Sequence, residues 1–304
     1  MDKKKLTSNI LLLITSIIWG AAFVAQRKGM DSNGPFTFIT SRYVLSAIFI
    51  YFFRMIYLNK NPELKIRKAS KKTTMMAMIS CGMIMFIATT LQQAGMLYTT
   101  AGKAAFITCL YIVLIPIISV FIGKRITIIA WIAVILGTIG LALLTLKENL
   151  TMGKGDLLVF IGAFFWASHI LAVDHFLSKG VEAMDISFGQ LVTVALCSAV
   201  AMFALETPTL SGIYDALPSI LFAGIMSGGL GYTFQVLAQK NTEPVVASLI
   251  MSLESVFGAI TGYLFLKEIM TTREILGCII AFVAVIISQI PIEKFKGGTY
   301  ESKN

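Results

Sequence analysis

Charged residues are scarce in this chain of 304 residues. Asp, Glu, Lys and Arg together make up only 13% of the sequence, whereas a soluble globular domain usually contains about 25%. Hydrophobic residues account for 57%. This composition excludes the ordinary soluble class and indicates a membrane protein.

The sequence also lacks the motifs of common enzymes and metal-binding proteins. It contains neither a P-loop nor a Gly-x-Ser-x-Gly motif. Its two histidines, His169 and His175, have no metal-binding arrangement. We therefore expect no catalytic activity, no cofactor and no metal site. The four cysteines lie in apolar stretches without ligand spacing, and we interpret them as packing residues: Cys81, Cys109, Cys197 and Cys278.

Long apolar runs occupy most of the chain instead. A helix needs roughly 20 apolar residues to cross a bilayer, and ten runs reach about that length. Several connectors between them are very short, so the helices on either side form hairpins. The predicted spans are 7–26, 36–57, 74–97, 103–122, 128–146, 157–177, 186–205, 217–238, 244–266 and 273–291.

The basic residues lie mainly in the connectors and predict the orientation of the chain. The connector 59–72 carries six Lys or Arg, and those on the opposite side carry fewer. Cytoplasmic loops are enriched in basic residues, so we expect a multi-pass protein of the cell membrane with both termini cytoplasmic. The net charge of +9 then reflects orientation, and no nucleic-acid partner is expected. The first apolar run imitates a signal peptide, but we expect it to remain as a helix because a later segment repeats its pattern.

An internal repeat divides the chain into two halves. Residues 92–126 align without gaps on residues 235–269, and the sequence around Trp19 aligns on that around Trp166. Each half then holds five helices, and an odd number makes the halves cross the membrane in opposite directions. The predicted fold is an all-α membrane protein of ten transmembrane helices, built as two inverted five-helix repeats around a central cavity. The predicted units are a first repeat (1–148), a second repeat (149–291) and a cytoplasmic tail (292–304).

The repeated segments also carry a family resemblance. They are SIIWGAAF, the TSR that ends in Arg42, TAGKAAFITCLYIVLIPI and, in the second half, LIMSLESVFGAITGYLFLKE. Their order resembles the EamA family of the drug/metabolite transporter superfamily over almost the whole chain. The resemblance implies ten helices, a central cavity, and export or exchange of small metabolites. One departure is Arg125, which stands where the second half has Glu268, so a symmetric role for this pair is not expected.

Glu254 is the one charged residue in the apolar stretch 249–262. A charge at the bilayer centre costs at least ~2.5–3.5 kcal/mol, and such residues normally face a cavity or a partner. Glu254 is therefore a candidate to line the transport path and to bind a cationic group or a proton. The alternative is a buried structural carboxyl group, neutral or paired with a basic residue. Tyr111 occupies the equivalent position in the first half, and we expect both side chains to face one cavity.

Two further polar residues lie inside predicted helices. The guanidinium of Arg42 is suited to bind a carboxylate or phosphate; alternatively, it pairs with a structural carboxylate or reaches the membrane interface. His169 follows Trp166 by one helical turn. Because histidine titrates near physiological pH, His169 is a candidate for proton coupling, and an interhelical hydrogen bond is the alternative.

The repeat also pairs Gln92 with Gln235 and Trp19 with Trp166. The glutamines are candidates for the cavity wall or for hydrogen bonds between helices. The tryptophans lie mid-span, away from the interface where tryptophan usually anchors a helix. They are candidates for aromatic cavity walls that stack on a cation, with core packing as the alternative.

The sequence thus predicts a secondary active transporter that works by alternating access on small metabolites such as amino acids, amines or drug-like cations. The expected partners are this substrate and the lipid bilayer, and the resemblance favours export. Proton coupling and the oligomeric state stay open. The alternatives are an intramembrane enzyme, with Ser252 or Ser255 near His169, and a non-transporting membrane sensor. The predicted substrate-binding residues are Trp19, Arg42, Gln92, Tyr111, Trp166, His169, Gln235 and Glu254.

Overall fold

The computed structural model of this chain describes residues 3–65, 68–145, 153–266 and 270–290, with the backbone alone for residues 65, 145 and 262–266. Over these ranges the regular structure is helical, and no strand occurs among the residues described. The predicted all-α class is confirmed. Glu268 and the predicted tail 292–304 lie outside the described residues.

Within the described ranges ten helical units follow one another, one at each predicted span, and we number them α1 to α10. They are α1 (Lys3–Gly29), α2 (Pro35–Lys60), α3 (Lys71–Gly95), α4 (Ala101–Cys109 and Tyr111–Phe121), α5 (Ile128–Thr145), α6 (Lys154–Ser178), α7 (Ala183–Leu205), α8 (Leu217–Gln239), α9 (Pro244–Met251 and Glu254–Leu266) and α10 (Thr272–Ser288). Two short helices, Pro62–Lys65 and Leu210–Asp215, lie in connectors. Eight units are long and apolar enough to cross a membrane, and α5 contains a shorter apolar helix, Ile128–Leu144. α10 lies along α5.

Local sequence signals explain where several units begin. The Ser70 and Thr100 side chains accept hydrogen bonds from the first turns of α3 and α4, as N-cap residues do. α10 begins with a reciprocal capping box between Thr271 and Glu274. Gly123 and Gly180 have positive φ angles of 83° and 80° just after α4 and α6, and glycine adopts this left-handed conformation without strain.

The packing of the helices follows a pseudo-two-fold symmetry. α2 packs against α7, and α5 packs against α10, so each pair joins corresponding helices of the two halves. α1 packs against α8 and α9, while α6 packs in the same way against α3 and α4. If each helix is replaced by its equivalent in the other half, every one of these contacts becomes another contact of the same set, as inverted repeats require. The predicted architecture of two inverted five-helix repeats is confirmed.

α4 and α9 are both broken near their centres. The break in α4 is at Leu110, and the break in α9 covers Ser252 and Leu253, the equivalent position of the second half. Tyr111 and Glu254 are therefore each the first residue of a second helical segment. The N-terminus of a helical segment carries unpaired backbone N–H groups and partial positive charge. The two candidate residues of the repeat thus lie where the backbone itself is polar.

α8 is widened into a π-helix between Phe222 and Gly231. π-helical turns are rare and are frequent at functional sites. Side chains of α1 and α2 donate hydrogen bonds to carbonyl groups of this segment, which tie the widened turns to the first repeat. These bonds are Ser46 Oγ to Gly224 O (2.7 Å), Trp19 Nε1 to Ser227 O (3.3 Å) and Thr15 Oγ1 to Gly231 O (3.3 Å).

Candidate functional site

A cavity lies between the two repeats at the level of the breaks in α4 and α9. The volume of this cavity is about 40 Å³. Seven of the eight predicted residues line it: Trp19, Arg42, Gln92 and Tyr111 from the first repeat, and Trp166, Gln235 and Glu254 from the second. The remaining lining residues are Phe23, Gln26, Thr108, Ile170, Ser227 and Tyr232.

Aromatic rings form one wall of this cavity. The ring of Tyr232 stacks on Trp166, with centroids 5.7 Å apart and an interplanar angle of 15°. The ring of Trp19 lies 4.9 Å from Tyr232 on another side. Tyr232 therefore joins a tryptophan of each repeat. A wall of this kind suits a ligand with a cationic or apolar part.

The two tryptophans also bind polar groups across the helices. Trp166 Nε1 donates a hydrogen bond of 2.7 Å to Gln92 Oε1, which links α6 to α3. Trp19 Nε1 instead donates to the backbone of α8, so the equivalent Gln235 accepts no hydrogen bond from the Trp19 indole. Gln235 Nε2 donates to Gln239 Oε1 at 3.0 Å. The frame of the site is symmetric, but its hydrogen bonds are not.

Glu254 is nearly fully buried, with 3% of its surface exposed. Cys109 Sγ donates to Glu254 Oε1 at 3.3 Å and also contacts Ser255 Oγ at 3.2 Å. Tyr111 Oη lies close to the same carboxyl group, but no contact of this hydroxyl has the geometry of a hydrogen bond. Among the residues that the structure describes, no Lys, Arg or His lies within ion-pair distance of Glu254.

Arg42 is also buried, with 4% of its surface exposed. Its guanidinium carbon lies 4.8 Å from the ring centroid of Tyr43 and 5.5 Å from that of Phe38. Nε is buried and has no hydrogen-bond acceptor within the described part of the chain. The ion pairs found there do not include Arg42. The guanidinium is thus held by aromatic rings, in the absence of a carboxylate from the described residues.

Several other polar atoms of the cavity wall are buried without a partner in the described ranges. Most buried polar groups in proteins have at least one hydrogen-bond partner, and an unpaired one costs ~1–3 kcal/mol. Five of the fourteen such atoms in the described structure lie around this cavity, where a polar ligand could pair with them. These atoms are Gln26 Oε1, Thr108 Oγ1, Tyr111 Oη and Gln235 Oε1, in addition to Arg42 Nε.

His169 lies behind the cavity wall and does not line it. The residue is fully buried, and its ring packs edge-on against Trp166 with centroids 6.0 Å apart. His169 Nε2 and Gln190 Oε1 are 2.9 Å apart, which makes the interhelical hydrogen bond. Ser252 and Ser255 lie at the break of α9 beside Cys109. The structure gives His169 no hydrogen bond to either serine.

Comparison with known proteins identifies the family. The sequence profile of the EamA-like transporter family matches residues 6–146 and 153–289, which is nearly the whole chain. The chain belongs to the EamA-like transporter family. The resemblance found in the sequence is confirmed, and the protein is a multi-pass membrane protein of a transporter family and not an enzyme.

Relatives of this EamA-like chain are described as uncharacterized transporters. An uncharacterized transporter of Archaeoglobus fulgidus is 27% identical over 95% of this chain and 88% of its own length. The uncharacterized transporter YoaV of Bacillus subtilis is 22% identical over 94% of this chain and 97% of its own length. A protein crystal structure has a TM-score of 0.78 at 12% identity, covering 95% of this chain and 99% of that one. This last likeness supports the fold alone.

Six lining residues of this EamA-like site are not among the predicted substrate-binding residues. Helical periodicity contains part of the signal, since residues three, four or seven positions apart share a face. Phe23 and Gln26 follow Trp19 by four and seven positions, and Ile170 follows Trp166 by four. Ser227 and Tyr232 lie in and after the π-helical segment, where α-helical spacing no longer predicts the face.

Proposed function

We propose that this EamA-like chain is a secondary active transporter that exports or exchanges a small metabolite by alternating access. The observation that carries the proposal is the cavity, to which both repeats contribute equivalent positions: Trp19 with Trp166, Gln92 with Gln235, and Tyr111 with Glu254. Inverted repeats that enclose a central site can exchange conformations and so open it first to one side and then to the other.

Ion pairs at both ends of the helices support such an exchange. Lys103 Nζ lies 2.5 Å from Asp156 Oδ2, joining the beginnings of α4 and α6. At the opposite end of α6, Lys240 Nζ lies 2.8 Å from Glu182 Oε1 and joins α8 to the α6–α7 connector. We expect opening of the cavity toward one end to break the contact at that end and to keep the other. The lysine of each pair is partly exposed, but Asp156 is buried, so breaking its contact with Lys103 costs more than breaking a surface ion pair.

Proton exchange at Glu254 is the coupling that the geometry favours. A buried carboxylate without a cationic partner is costly, and a proton or a cationic substrate group removes this cost. The two then compete for one carboxyl group, and release of one accompanies binding of the other. His169 has no such position, because it lies behind the Trp166 ring and is bonded to Gln190.

Transport by purified protein in proteoliposomes tests this function. A panel of labelled metabolites is assayed with and without a pH gradient, and we expect uptake or counterflow that the gradient alters. Glu254→Gln should abolish transport or its response to the gradient while folded protein remains in the membrane. Glu243→Gln is the matched control. It makes the same substitution at an exposed glutamate at the start of the same helix. Wild-type transport with unchanged pH dependence in Glu254→Gln would contradict the proposal.

We also propose that both termini face the cytoplasm. The Lys/Arg imbalance supports this orientation. Asn149 and Gly212 are expected on the side of the membrane opposite to the cytoplasm. Asn149 is not among the described residues, and Gly212 is buried, so the neighbouring Ser211 is used. Ser211→Cys should react with an impermeant thiol reagent in whole cells above the background of the parent chain, whereas Lys72→Cys should react only after lysis. The opposite labelling pattern would invert the orientation.

A further inference from the structure

The aromatic wall of the cavity depends on one ring of the second repeat. Tyr232 stacks on Trp166 of its own half and also contacts Trp19 of the first half. The repeat alignment, continued three positions upstream of Gln92, places Thr89 at the equivalent position. The first half therefore has no counterpart of this ring, and the arrangement of both tryptophans depends on where Tyr232 is held.

His169 contacts both members of the stack from behind the wall. Its imidazole is nearly perpendicular to the Trp166 ring, at 89° with centroids 6.0 Å apart. It is also nearly perpendicular to the Tyr232 ring, at 85° and 6.3 Å. Edge-to-face contacts of this kind are favourable, so one ring holds the other two together. The aligned residue of the first half is Ala22, and this contact also belongs to the second repeat alone.

Gln190 of α7 fixes the orientation of the imidazole. The Gln190 Oε1 atom lies 2.9 Å from His169 Nε2, and an amide oxygen can only accept, so Nε2 donates. Both side chains have no exposed surface. The ring cannot turn away from the stack without leaving a buried polar group unpaired, which is costly. A bond between α6 and α7 alone would not need a ring, because an amide side chain could also donate to Gln190.

We propose that His169 is a positioning residue, whose ring, oriented by Gln190, keeps Tyr232 stacked on Trp166 and so preserves the cavity wall before a substrate binds. Side chains that must first become ordered weaken binding. In this protein folding orders the rings, so that binding need not do so. The consequence for transport rests on the proposed function, whereas the positioning of the rings does not.

Acrylamide quenching of tryptophan fluorescence in detergent tests the positioning. In the Trp131→Phe chain, the two remaining tryptophans both contact Tyr232. His169→Ala in this chain should raise the quenching, because a loosened tyrosine uncovers both indoles. His175→Ala is the matched control and should leave the quenching unchanged. It removes the other histidine of the same helix, at an exposed position.

A second substitution separates the ring of His169 from its hydrogen bond. His169→Phe keeps a ring against Trp166 and Tyr232 but leaves Gln190 Oε1 without its donor. It should therefore unfold at lower SDS while its quenching stays at the parent level. An equal rise in quenching for His169→Ala and His169→Phe would overturn the proposal, and so would no rise in His169→Ala. If His169→Ala does not fold, His169→Leu removes the ring at a similar volume and takes its place.

Transport kinetics connect the position of the rings to function. For a metabolite that the proteoliposome panel shows to be transported, His169→Ala should raise the KM about two- to tenfold. The maximal rate should change less, and His169→Phe should restore the parent KM. An unchanged KM together with increased quenching would overturn the role in substrate binding. If the parent chain transports no metabolite of the panel, the proposed function is contradicted, and the quenching result still decides whether His169 positions the rings.

Discussion

Gly20 allows α1 to approach the broken helix α9 at the level of the cavity. A Cβ atom at this position would lie 2.5 Å from the carbonyl oxygen of Glu254 and 2.7 Å from the amide nitrogen of Gly258. Ordinary contacts of a Cβ begin at 3.4 Å, so Gly20→Ala requires α1 and α9 to separate by about 1 Å. The two nearest atoms belong to the backbone and the third is Phe257 Cβ, which side-chain rotation cannot move, so no side chain can rotate away to make room.

The expected magnitude follows from two opposing effects. Overpacking of this kind costs about 1–3 kcal/mol, whereas alanine is more favourable than glycine in a helix by about 1 kcal/mol. Gly20→Ala should therefore lower the free energy of unfolding by up to about 2 kcal/mol. It should also impair transport, because Trp19 and Glu254 both line the cavity next to the contact.

Two matched variants make the measurement decisive. Gly102 lies in the first turn of α4, and no atom lies within 4 Å of its added Cβ, so Gly102→Ala should stabilise by at most about 1 kcal/mol. Gly258→Ala tests the other side of the contact, where the added Cβ meets Gly20 O at an ordinary 3.4 Å. Unfolding is followed by titration with SDS in mixed micelles. If Gly20→Ala were as stable as Gly102→Ala, the close approach of α1 and α9 would be refuted.

Two further substitutions test individual contacts of the site. Trp166→Phe keeps an aromatic ring but leaves the buried Gln92 Oε1 without its indole donor. It should therefore lower the free energy of unfolding by about 1–3 kcal/mol. The indole of Trp131 has no hydrogen bond in the described structure, so Trp131→Phe should not incur this cost. Cys109→Ala removes the thiol donor to Glu254 and should slow transport on the order of tenfold, whereas Cys109→Ser keeps a donor and should retain the rate. Equal rates in both variants would show that the thiol does not position the carboxyl group.

The sequence contains enough information to predict the ten spans and most of the cavity wall. Hydropathy locates the spans because the bilayer demands a long apolar run for each one. The repeat then pairs positions at the same depth, and an inverted arrangement brings paired positions to one axis. Trp19 and Trp166, or Tyr111 and Glu254, could therefore be placed together before any contact was known. These two rules sufficed for six of the eight predicted residues, and Arg42, the seventh that lines the cavity, was predicted from its charge inside a span.

The breaks in α4 and α9 could not be predicted from the sequence. Neither Leu110 nor Leu253 is a helix breaker, and no glycine or proline is adjacent to them. Both residues lie in continuous apolar runs where helix propensity gives no reason to stop. The breaks are at equivalent positions in the two halves, and there Cys109 Sγ contacts Ser252 O at 3.6 Å. Tertiary contact between the halves thus decides what the local sequence leaves undetermined.

The depth of His169 and the role of Tyr232 were also beyond sequence reasoning. Helical spacing places His169 near the face of Trp166, and the two rings do meet. Helical spacing alone does not show that Trp166 and Tyr232 together separate the His169 imidazole from the cavity. Tyr232 itself follows a segment with four glycines between 222 and 231. These glycines mark an irregular helix, but they do not reveal a π-helix or the direction of the ring that follows it.

The two repeats share a backbone frame but divide the charges between them, and this division has a consequence for transport. Exchange of the two halves' conformations preserves the set of helix contacts, so the frame favours neither end state strongly. Arg42 belongs to one half and Glu254 to the other, and any movement of one half against the other changes the distance between them. A ligand shifts a conformational equilibrium only by its different affinity for the states, so a ligand that contacts Arg42 or Glu254 favours the state in which that contact is best.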